Sequence, residues 1–354
     1  MKYELSENES KIIYIIKLFS IVFVLYIHAF SSINYCWIDN NMVANTIQMV
    51  EYGFTQILAR AGVPLFFLIS SLLLYRKDFT FRKNLKKKNK RILIPYIICN
   101  TIWILLFAIF QNIEPLKNFF SNEENTIKNW NILNWIDAYI PIFIRNKPFV
   151  YPLWFLKDLY ILNLFSKGIQ KLIDKIPKMF LIIAFGMWIF DVNLKIIESQ
   201  SLLFFSLGYY IVKYNIRFKK INNVNIAKVS LIYFLLSFLF AYLEITIKSF
   251  YILHNILILV SMIYVYIIAS KTIKISDNTL GKELIKKSYF IYLYHEWNLL
   301  FIRKILDKLL GSNYLIDFVK YSFLPIIIII ICLILSKILK IINKKVYDII
   351  VGEW

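Results

Sequence analysis

The chain has 354 residues, of which 59% are hydrophobic and 18% aromatic, and its mean hydropathy is +0.61. A soluble domain has too little polar surface for this composition, so soluble enzymes and binding modules are excluded. The formal net charge of +20 is explained below by membrane topology and indicates no nucleic-acid partner. The sequence predicts an all-α integral membrane protein, embedded in membrane lipids. We expect one transmembrane domain over residues 1–354, with no appended extracytoplasmic domain.

Apolar blocks long enough to span a bilayer recur along the whole chain and predict about ten transmembrane helices. The first block follows an acidic segment, contains Lys17 and lacks a small-residue cleavage site, which favours a retained helix over a signal peptide. The predicted spans are 11–30, 53–75, 92–110, 149–166, 180–194, 201–213, 226–247, 250–270, 286–302 and 320–339.

The distribution of Lys and Arg predicts that both termini are cytoplasmic. With the N-terminus inside, the inner loops and the last segment hold 26 Lys and Arg, and the outer loops hold 10. Residues 76–91 carry nine cations and one acid, and they are the strongest topology signal in the chain. That explanation would hold even if the loop bound nothing, but cations at a helix N-terminus also attract phosphates.

Cysteine and histidine spacing predicts neither a disulfide framework nor a metal site. Cys36, Cys99 and Cys332 are far apart and form no CxxC pair. The three histidines also lack the spacing of metal ligands. We therefore expect a protein without a bound metal.

The first span carries two polar side chains, Lys17 and His28, eleven residues apart. That spacing is about three helical turns, so both side chains lie near one face with a rise of roughly 16 Å between them. Ionisable groups inside a span usually face a cavity, so this face predicts a polar path across the membrane, with Lys17 as a substrate-binding residue. A neutral imidazole in such a path can accept a proton. The alternative is that water satisfies His28 at the interface while Lys17 extends to the cytoplasmic headgroups.

The second span places Arg60 and Ser71 eleven residues apart, again on one face, with Gly62 and Pro64 allowing a local bend or close packing. Both side chains are candidates for contact with a substrate. Arg60 lies near the outer end of the span, where it is also explained as an interface anchor.

Two later spans contain further polar groups. In the ninth, His295 lies on one face with Tyr292, and Glu296 is beside it, so we expect His295 and Glu296 to orient a substrate or His28. Tyr292 is more simply explained by packing. In the fourth, Lys157 and Asp158 are adjacent and about 100° apart around the helix, so they should not face one partner. We interpret this fourth block as mostly structural.

The outer segment from Asn112 to Pro148 is too long for a plain connection. Its residues Trp130, Leu133, Ile136 and Ile140 are spaced for one apolar face. The pattern predicts an interfacial helix that lies on the outer leaflet.

Five blocks carry a resemblance to a known family. In order, they are KLFSIVFVLYIHAF, GVPLFFLISSLLLY, KNKRILIPY, LWFLKDLYIL and SYFIYLYHEW. Each block is short and apolar, but together they resemble the signature blocks of membrane acyltransferase family 3, the polysaccharide O-acetyltransferase type. The resemblance covers nearly the whole chain.

The resemblance implies an O-acetyltransferase of the bacterial cytoplasmic membrane. Such an enzyme moves an acyl group, usually acetyl, from cytoplasmic acetyl-CoA to a hydroxyl of an envelope saccharide, either free or lipid-linked. His28 matches the family's essential histidine, which would act as a general base or be transiently acetylated; the sequence leaves both open. Lys17 stands where an arginine is usual in the family.

The family's paired-arginine motif at the third helix is matched by Lys88 and Arg91, which implies that they bind the phosphates of CoA. Lysine keeps the charge but lacks the bidentate fork of arginine, so the grip of Lys88 is the weaker one. The second block has Ser71 where the family often has glycine beside a serine, which puts close packing at that point in question.

Two alternatives remain at the level of the sequence. Ten helices with interior charges also suit a transporter or flippase that moves a lipid-linked saccharide without chemistry. No internal repeat of hydropathy is evident, which disfavours a transporter built from repeats. An acyltransferase with another donor, such as succinyl-CoA, is equally compatible with these residues.

Overall fold

A computed structural model describes residues 3–30, 41–121, 125–192, 194–219, 221, 224–247 and 251–353 of the chain. Over these ranges the regular structure is helical, with no β-strand. The α-helices, numbered in chain order, are α1 (Glu7–Ala29), α2 (Met42–Tyr52), α3 (Gly62–Tyr75), α4 (Phe81–Lys88), α5 (Ile94–Phe110), α6 (Glu114–Phe120), α7 (Ile132–Tyr139), α8 (Trp154–Leu164), α9 (Ser166–Lys175), α10 (Pro177–Ile189), α11 (Ser199–Lys213), α12 (Ile226–Ile247), α13 (Tyr251–Lys271), α14 (Thr279–Leu310), α15 (Tyr314–Ile342) and α16 (Lys344–Ile350).

The predicted all-α membrane architecture is confirmed. Within the described residues, six helical stretches are long and apolar enough to cross a membrane: Glu7–Ala29, Met42–Tyr75, Phe81–Phe110, Ile226–Glu244, Ile252–Lys271 and Tyr314–Ile342. The other four predicted spans coincide with α8, α10, α11 and α14, which are shorter or more polar. The total of ten spans and the cytoplasmic position of both termini stay predictions.

Helix α1 forms the centre of the bundle and packs against α3, α13, α14 and α15. It begins with a capping box, in which the Ser6 hydroxyl accepts from the Glu9 N–H and the Glu9 carboxylate accepts from the Ser6 N–H. These two bonds satisfy backbone donors that a helix N-terminus leaves unpaired. Because α1 is surrounded by other helices, its polar side chains face protein rather than lipid.

The stretch Met42–Tyr75 is continuously helical but irregular in the middle. A π-helical segment, Gly53–Leu58, and a 3-10 turn, Ala59–Ala61, separate α2 from α3. Gly62 lies just after this turn, where an added Cβ would be 3.2 Å from the Ser20 carbonyl oxygen of α1. The close approach of α3 to α1 therefore depends on this glycine, as the sequence indicated.

Helices α3 and α11 are the most intimately packed pair. An added Cβ at Gly208 of α11 would lie 2.4 Å from the Leu68 carbonyl oxygen and 2.6 Å from the Ser71 Cβ of α3. Ser71 stands at the position where the resemblance led us to look for a glycine, and the partner helix supplies one in Gly208. Tight packing at Ser71 is therefore present.

A second π-helical segment, Asn89–Leu93, joins α4 to α5 and carries the cations Lys90 and Arg91. Single π turns within α-helices occur often at functional sites, because they re-aim side chains that a regular helix would place elsewhere. This segment opens the third predicted span, where the sequence pointed to a phosphate site.

The segment between α5 and α8 is organised around the buried carboxylate of Asp137 in α7. Four consecutive backbone N–H groups, those of Ile142, Phe143, Ile144 and Arg145, donate to it. Burial alone would raise the pKa of Asp137, but these four donors lower it on balance. One side chain thus fixes the turn that follows α7.

The predicted interfacial segment, which includes α7, exposes most of its apolar side chains. Leu133, Ile136 and Ile140 are exposed, while Trp130 packs against the core. An apolar face without a protein neighbour is consistent with contact to lipid, and its location on the outer leaflet stays a prediction.

The structure describes two of the three cysteines, Cys99 and Cys332, and both are buried free thiols. The third, Cys36, lies outside the described residues.

Candidate active site

The structure brings His28 of α1 into direct contact with Glu296 of α14. The His28 Nδ1 lies 2.7 Å from the Glu296 Oε2, and both side chains are largely buried. The Oε2 has no aligned hydrogen-bond donor among the described residues, so the contact is that of an ion pair. A carboxylate this close to an imidazole stabilises the positive charge that the ring acquires when it acts as a base.

His295 lies beside this pair with its ring centroid 5.1 Å from that of His28. Its Nδ1 is 2.7 Å from the Tyr292 carbonyl oxygen, which can only accept, so Nδ1 carries the proton. The Nε2 of His295 is buried and has no hydrogen-bond partner among the described residues. A buried acceptor of this kind is satisfied when a donor, such as a hydroxyl or a water, enters.

The donor atoms of His28, His295 and Glu296 all lie within 4.8 Å of one another, a grouping that could hold a metal ion. The 2.7 Å distance between His28 and Glu296 is also that of an ion pair, which needs no metal. The expectation of a metal-free centre stays a prediction.

His28 opens onto a cavity of about 380 Å³. Its polar and aromatic lining comes from several elements: His28, Arg60, Phe66, Lys147, Tyr151, Trp154, Phe155, Glu198, Gln200 and Tyr292. The cavity is large enough for a sugar ring or for the end of an acyl thioester. It lies at the end of α1 that the charge distribution places outside.

Arg60 is part of this cavity wall, next to the irregular turn that precedes α3. Its guanidinium donates to the Gln56 side-chain oxygen through Nε (2.9 Å) and Nη2 (2.7 Å). The Gln56 acceptor is neutral, so these bonds do not neutralise the positive charge of Arg60. Arg60 lines the same cavity as His28. A substrate-contacting role of Arg60 stays a prediction.

Several cavity residues were missed by sequence reasoning. Lys147 is paired with Glu198 and lies 4.4 Å from the Trp154 ring centroid, and Tyr151 has its ring 6.1 Å from that of His28. They come from an outer loop and its 3-10 turn, which carry no helical periodicity, so no sequence signal could have assigned them to the site.

The rim of the cavity is tied to two helices. The Val150 N–H donates to the Asn100 side-chain oxygen of α5 at 3.0 Å, and the Tyr292 hydroxyl of α14 donates to the Pro152 carbonyl. Tyr292 therefore does more than fill space, because it holds the turn that forms one wall of the site.

The fourth span contains a structural ion pair. Asp158 is fully buried, its Oδ1 lies 3.3 Å from the Lys157 Nζ, and its Oδ2 accepts from the Ser201 hydroxyl and the Glu198 N–H. The two residues pair with each other, so this contact does not test the expectation that they would not face one partner. The interpretation of this block as structural agrees with these contacts, which link α8 to α11.

The cationic residues at the other end of the bundle surround a second recess. A cavity of about 550 Å³ is lined by five cations, Lys77, Lys83, Lys87, Lys88 and Arg91, and one acid, Asp78, together with Asn84 and apolar and hydroxyl side chains. A smaller recess of about 290 Å³ shares three of these cations and adds Lys86 and Lys90. Such a concentration of positive charge suits a ligand with several phosphates.

Lys17 lies close enough to Arg76 and Lys88 for their charges to repel one another. The structure therefore brings Lys17, Lys88 and Arg91 to the same end of the bundle, as the sequence predicted. The outer cavity and these recesses share no lining residue. A polar path from Lys17 to His28 stays a prediction.

Ser71 does not share the cavity of Arg60. It is fully buried where α3 meets Gly208. The eleven-residue spacing would place both on one face of a regular helix, but the 3-10 turn at Ala59–Ala61 changes the phase between them. Its predicted contact with a substrate is not tested by this position, which favours packing.

Comparison with known proteins places these features in a family. Residues 11–337 match the acyltransferase 3 family, described as an acyltransferase domain, so the chain belongs to that family and is a multi-pass membrane acyltransferase. The resemblance stated from the five sequence blocks is confirmed.

One relative is the succinoglycan biosynthesis protein ExoH of Rhizobium meliloti (strain 1021). It is 28% identical over 158 residues, which are 43% of this chain and 41% of the relative. The chain thus matches less than half the length of this relative. No solved structure matches the chain.

Proposed function

We propose that this protein transfers an acetyl group from cytoplasmic acetyl-CoA to a hydroxyl of an envelope saccharide, with His28 as the general base. The observation that carries the proposal is the contact between the His28 Nδ1 and the Glu296 carboxylate at the wall of the outer cavity. Membership of an acyltransferase family supplies the reaction class.

The reaction uses the imidazole nitrogen that does not contact Glu296. The His28 Nε2 takes the proton of the acceptor hydroxyl while the hydroxyl oxygen attacks the thioester carbonyl. Glu296 stabilises the imidazolium that forms. The new bond joins the acceptor oxygen to the acyl carbon, and the carbon–sulfur bond breaks. The proton then passes from His28 to the departing thiolate, which leaves as CoA.

The donor site is the cationic pair of recesses around Lys88 and Arg91. CoA carries a pyrophosphate and a ribose phosphate, and the crowded ammonium and guanidinium groups would neutralise them. The positive-inside distribution supports a cytoplasmic position for this end. If cysteines introduced at residues 82–87 were labelled from outside the cell, the cytoplasmic position would be contradicted.

The acceptor enters the outer cavity. Tyr151 and Trp154 offer aromatic surfaces there, and Arg60, Lys147, Glu198 and Gln200 offer hydrogen-bonding groups, a combination that suits a polyhydroxylated ring. The relative named for succinoglycan biosynthesis supports a saccharide acceptor. The proposal that this acceptor is an envelope saccharide, free or lipid-linked, at a bacterial cytoplasmic membrane goes beyond that name.

The deciding experiment uses purified protein, acetyl-CoA labelled in the acetyl group, and envelope glycans from cells in which the gene is deleted. His28→Gln keeps a hydrogen-bonding side chain but cannot act as a base at neutral pH, so kcat should fall by about 10²- to 10⁴-fold. A wild-type rate in this variant would refute the catalytic role of His28.

The chain offers a matched control in His254, whose Nδ1 lies 2.8 Å from the Glu244 carboxylate. His254→Gln removes a histidine in a similar pair that lies outside the cavity wall, and it should leave kcat unchanged.

Acid quenching without acceptor, followed by mass spectrometry, would reveal an acetylated His28 if the covalent route operates. Movement of glycan across the membrane without label transfer would favour the transporter alternative. Label from succinyl-CoA but not acetyl-CoA would redefine the donor.

A further inference from the structure

The π-helical segment that carries Arg91 is held in place from three directions. The Tyr160 hydroxyl of α8 bonds the Asn89 side chain at 2.8 Å, and the Tyr289 hydroxyl of α14 donates to the Arg91 carbonyl at 2.8 Å. The third contact comes from the segment Lys344–Glu353, which lies beyond the residues matched by the family, 11–337.

This third contact is a backbone-to-backbone approach at Gly352. An added Cβ there would lie 2.6 Å from the Arg91 Cα and 2.8 Å from the Lys90 carbonyl oxygen. These atoms belong to the main chain and cannot rotate away as the end of a flexible side chain can. Gly352 also has a φ of +65°, a backbone conformation that residues other than glycine adopt only at a cost in free energy.

Helix α16 fixes the position of Gly352. Tyr347 is buried, its ring stacks on Phe290 with centroids 5.9 Å apart, and its hydroxyl accepts from the Lys287 ammonium at 2.9 Å. The Gly352 N–H then donates to the Ile349 carbonyl and closes the turn. The same helix, α14, therefore anchors both α16 and the Arg91 carbonyl.

We propose that the segment Lys344–Glu353 is a positioning element for the donor site: α16 presses Gly352 against the Lys90–Arg91 backbone and so aims the Arg91 guanidinium at the phosphates of the acyl-CoA. The inference rests on the proposed function, because it assumes that Arg91 binds the donor. It adds a part of the chain that the family match does not include.

The test is Gly352→Ala compared with Gly311→Ala. Gly311 also has positive φ, +71°, but nothing lies within 4 Å of an added Cβ, so its substitution carries a backbone cost without a collision. Gly352→Ala should raise the KM for acetyl-CoA on the order of tenfold with kcat nearly unchanged, because a charge-assisted bond to phosphate is misaligned. Gly311→Ala should leave both constants unchanged.

A truncated donor, S-acetyl-N-acetylcysteamine, separates positioning from general damage, because it has the thioester but no phosphate. Gly352→Ala should leave kcat/KM for this donor at the wild-type value. An equal loss with both donors, or an unchanged KM for acetyl-CoA, would overturn the proposal.

Two further variants make the result unambiguous. If Gly352→Ala does not accumulate, Tyr347→Phe removes only the bond to Lys287 and should raise the KM for acetyl-CoA by roughly threefold, again with the truncated donor unaffected. Arg91→Ala tests the underlying assignment. A raised KM in Arg91→Ala with none in the two positioning variants refutes this inference alone, and an unchanged KM in Arg91→Ala refutes the proposed donor site.

Discussion

Replacement of Glu296 by glutamine would remove the negative charge beside His28 and keep the size of the side chain. The amide oxygen can take the place of the carboxylate oxygen, so the packing around His28 can be kept while the charge is lost. The charge matters only when His28 becomes an imidazolium during the reaction. We therefore expect kcat to fall while the KM for acetyl-CoA stays the same.

The size of the effect follows from the geometry. The Nδ1 and Oε2 atoms are 2.7 Å apart, and two unit charges centred about 4 Å apart interact by about 4 kcal/mol at an effective dielectric constant of about 20. Because each 1.36 kcal/mol changes a rate tenfold, the loss corresponds to roughly a 10³-fold decrease in kcat.

The assay is steady-state acetyl transfer by purified Glu296→Gln protein, with thermal stability measured in parallel. Combined with His28→Gln, the substitution should cause little further loss, because the two residues act as a unit. A kcat within about fivefold of wild type, or a full additional loss in the double variant, would show that Glu296 does not act through His28.

Three other predictions concern the scaffold and the centre. Asp137→Asn should lower the melting temperature by removing a carboxylate that accepts four N–H bonds. Because the folded pKa of Asp137 is lowered, its contribution is complete above the unfolded pKa and is lost as pH falls through the folded pKa, so the Asn variant should match wild type only in acid; an equal difference at all pH values would contradict this. Gly208→Ala should destabilise the protein by about 1–3 kcal/mol, because its Cβ collides with the backbone of α3, whereas Gly186→Ala, with nothing within 4 Å, should not; equal melting temperatures would show that the α3–α11 contact relaxes freely. Prolonged treatment with EDTA should leave acetyl transfer unchanged, and a loss that zinc restores would assign the His28, His295 and Glu296 group to a metal.

The fold was largely predictable because a bilayer requires long apolar helices with internally satisfied backbone groups. The predicted spans 226–247 and 250–270 agree with α12 and α13 almost to the residue. What the pattern could not show is the irregular backbone at Gly53–Ala61 and Asn89–Leu93, because π and 3-10 turns depend on contacts with other helices.

The site was partly predictable for a related reason. Ionisable groups such as His28 and Glu296 are conspicuous inside apolar helices, so both could be named in advance. Their direct pairing depends on how α1 packs against α14, which no local pattern contains. Lys147 and Tyr151 belong to a loop where polar residues are ordinary, so nothing distinguished them before the fold was known.

The contacts of α14 link the two proposed substrate sites. Tyr289 bonds the segment that carries Arg91, Tyr292 holds the rim of the cavity at His28, and Glu296 contacts His28, at intervals of three and four residues along one helical face. The axial distance from Tyr289 to Glu296 is therefore about 10 Å and is set by the helix itself. A single residue inserted between them would turn Glu296 by about 100° away from His28. A change of register within this one stretch would therefore separate the proposed donor site from the proposed base.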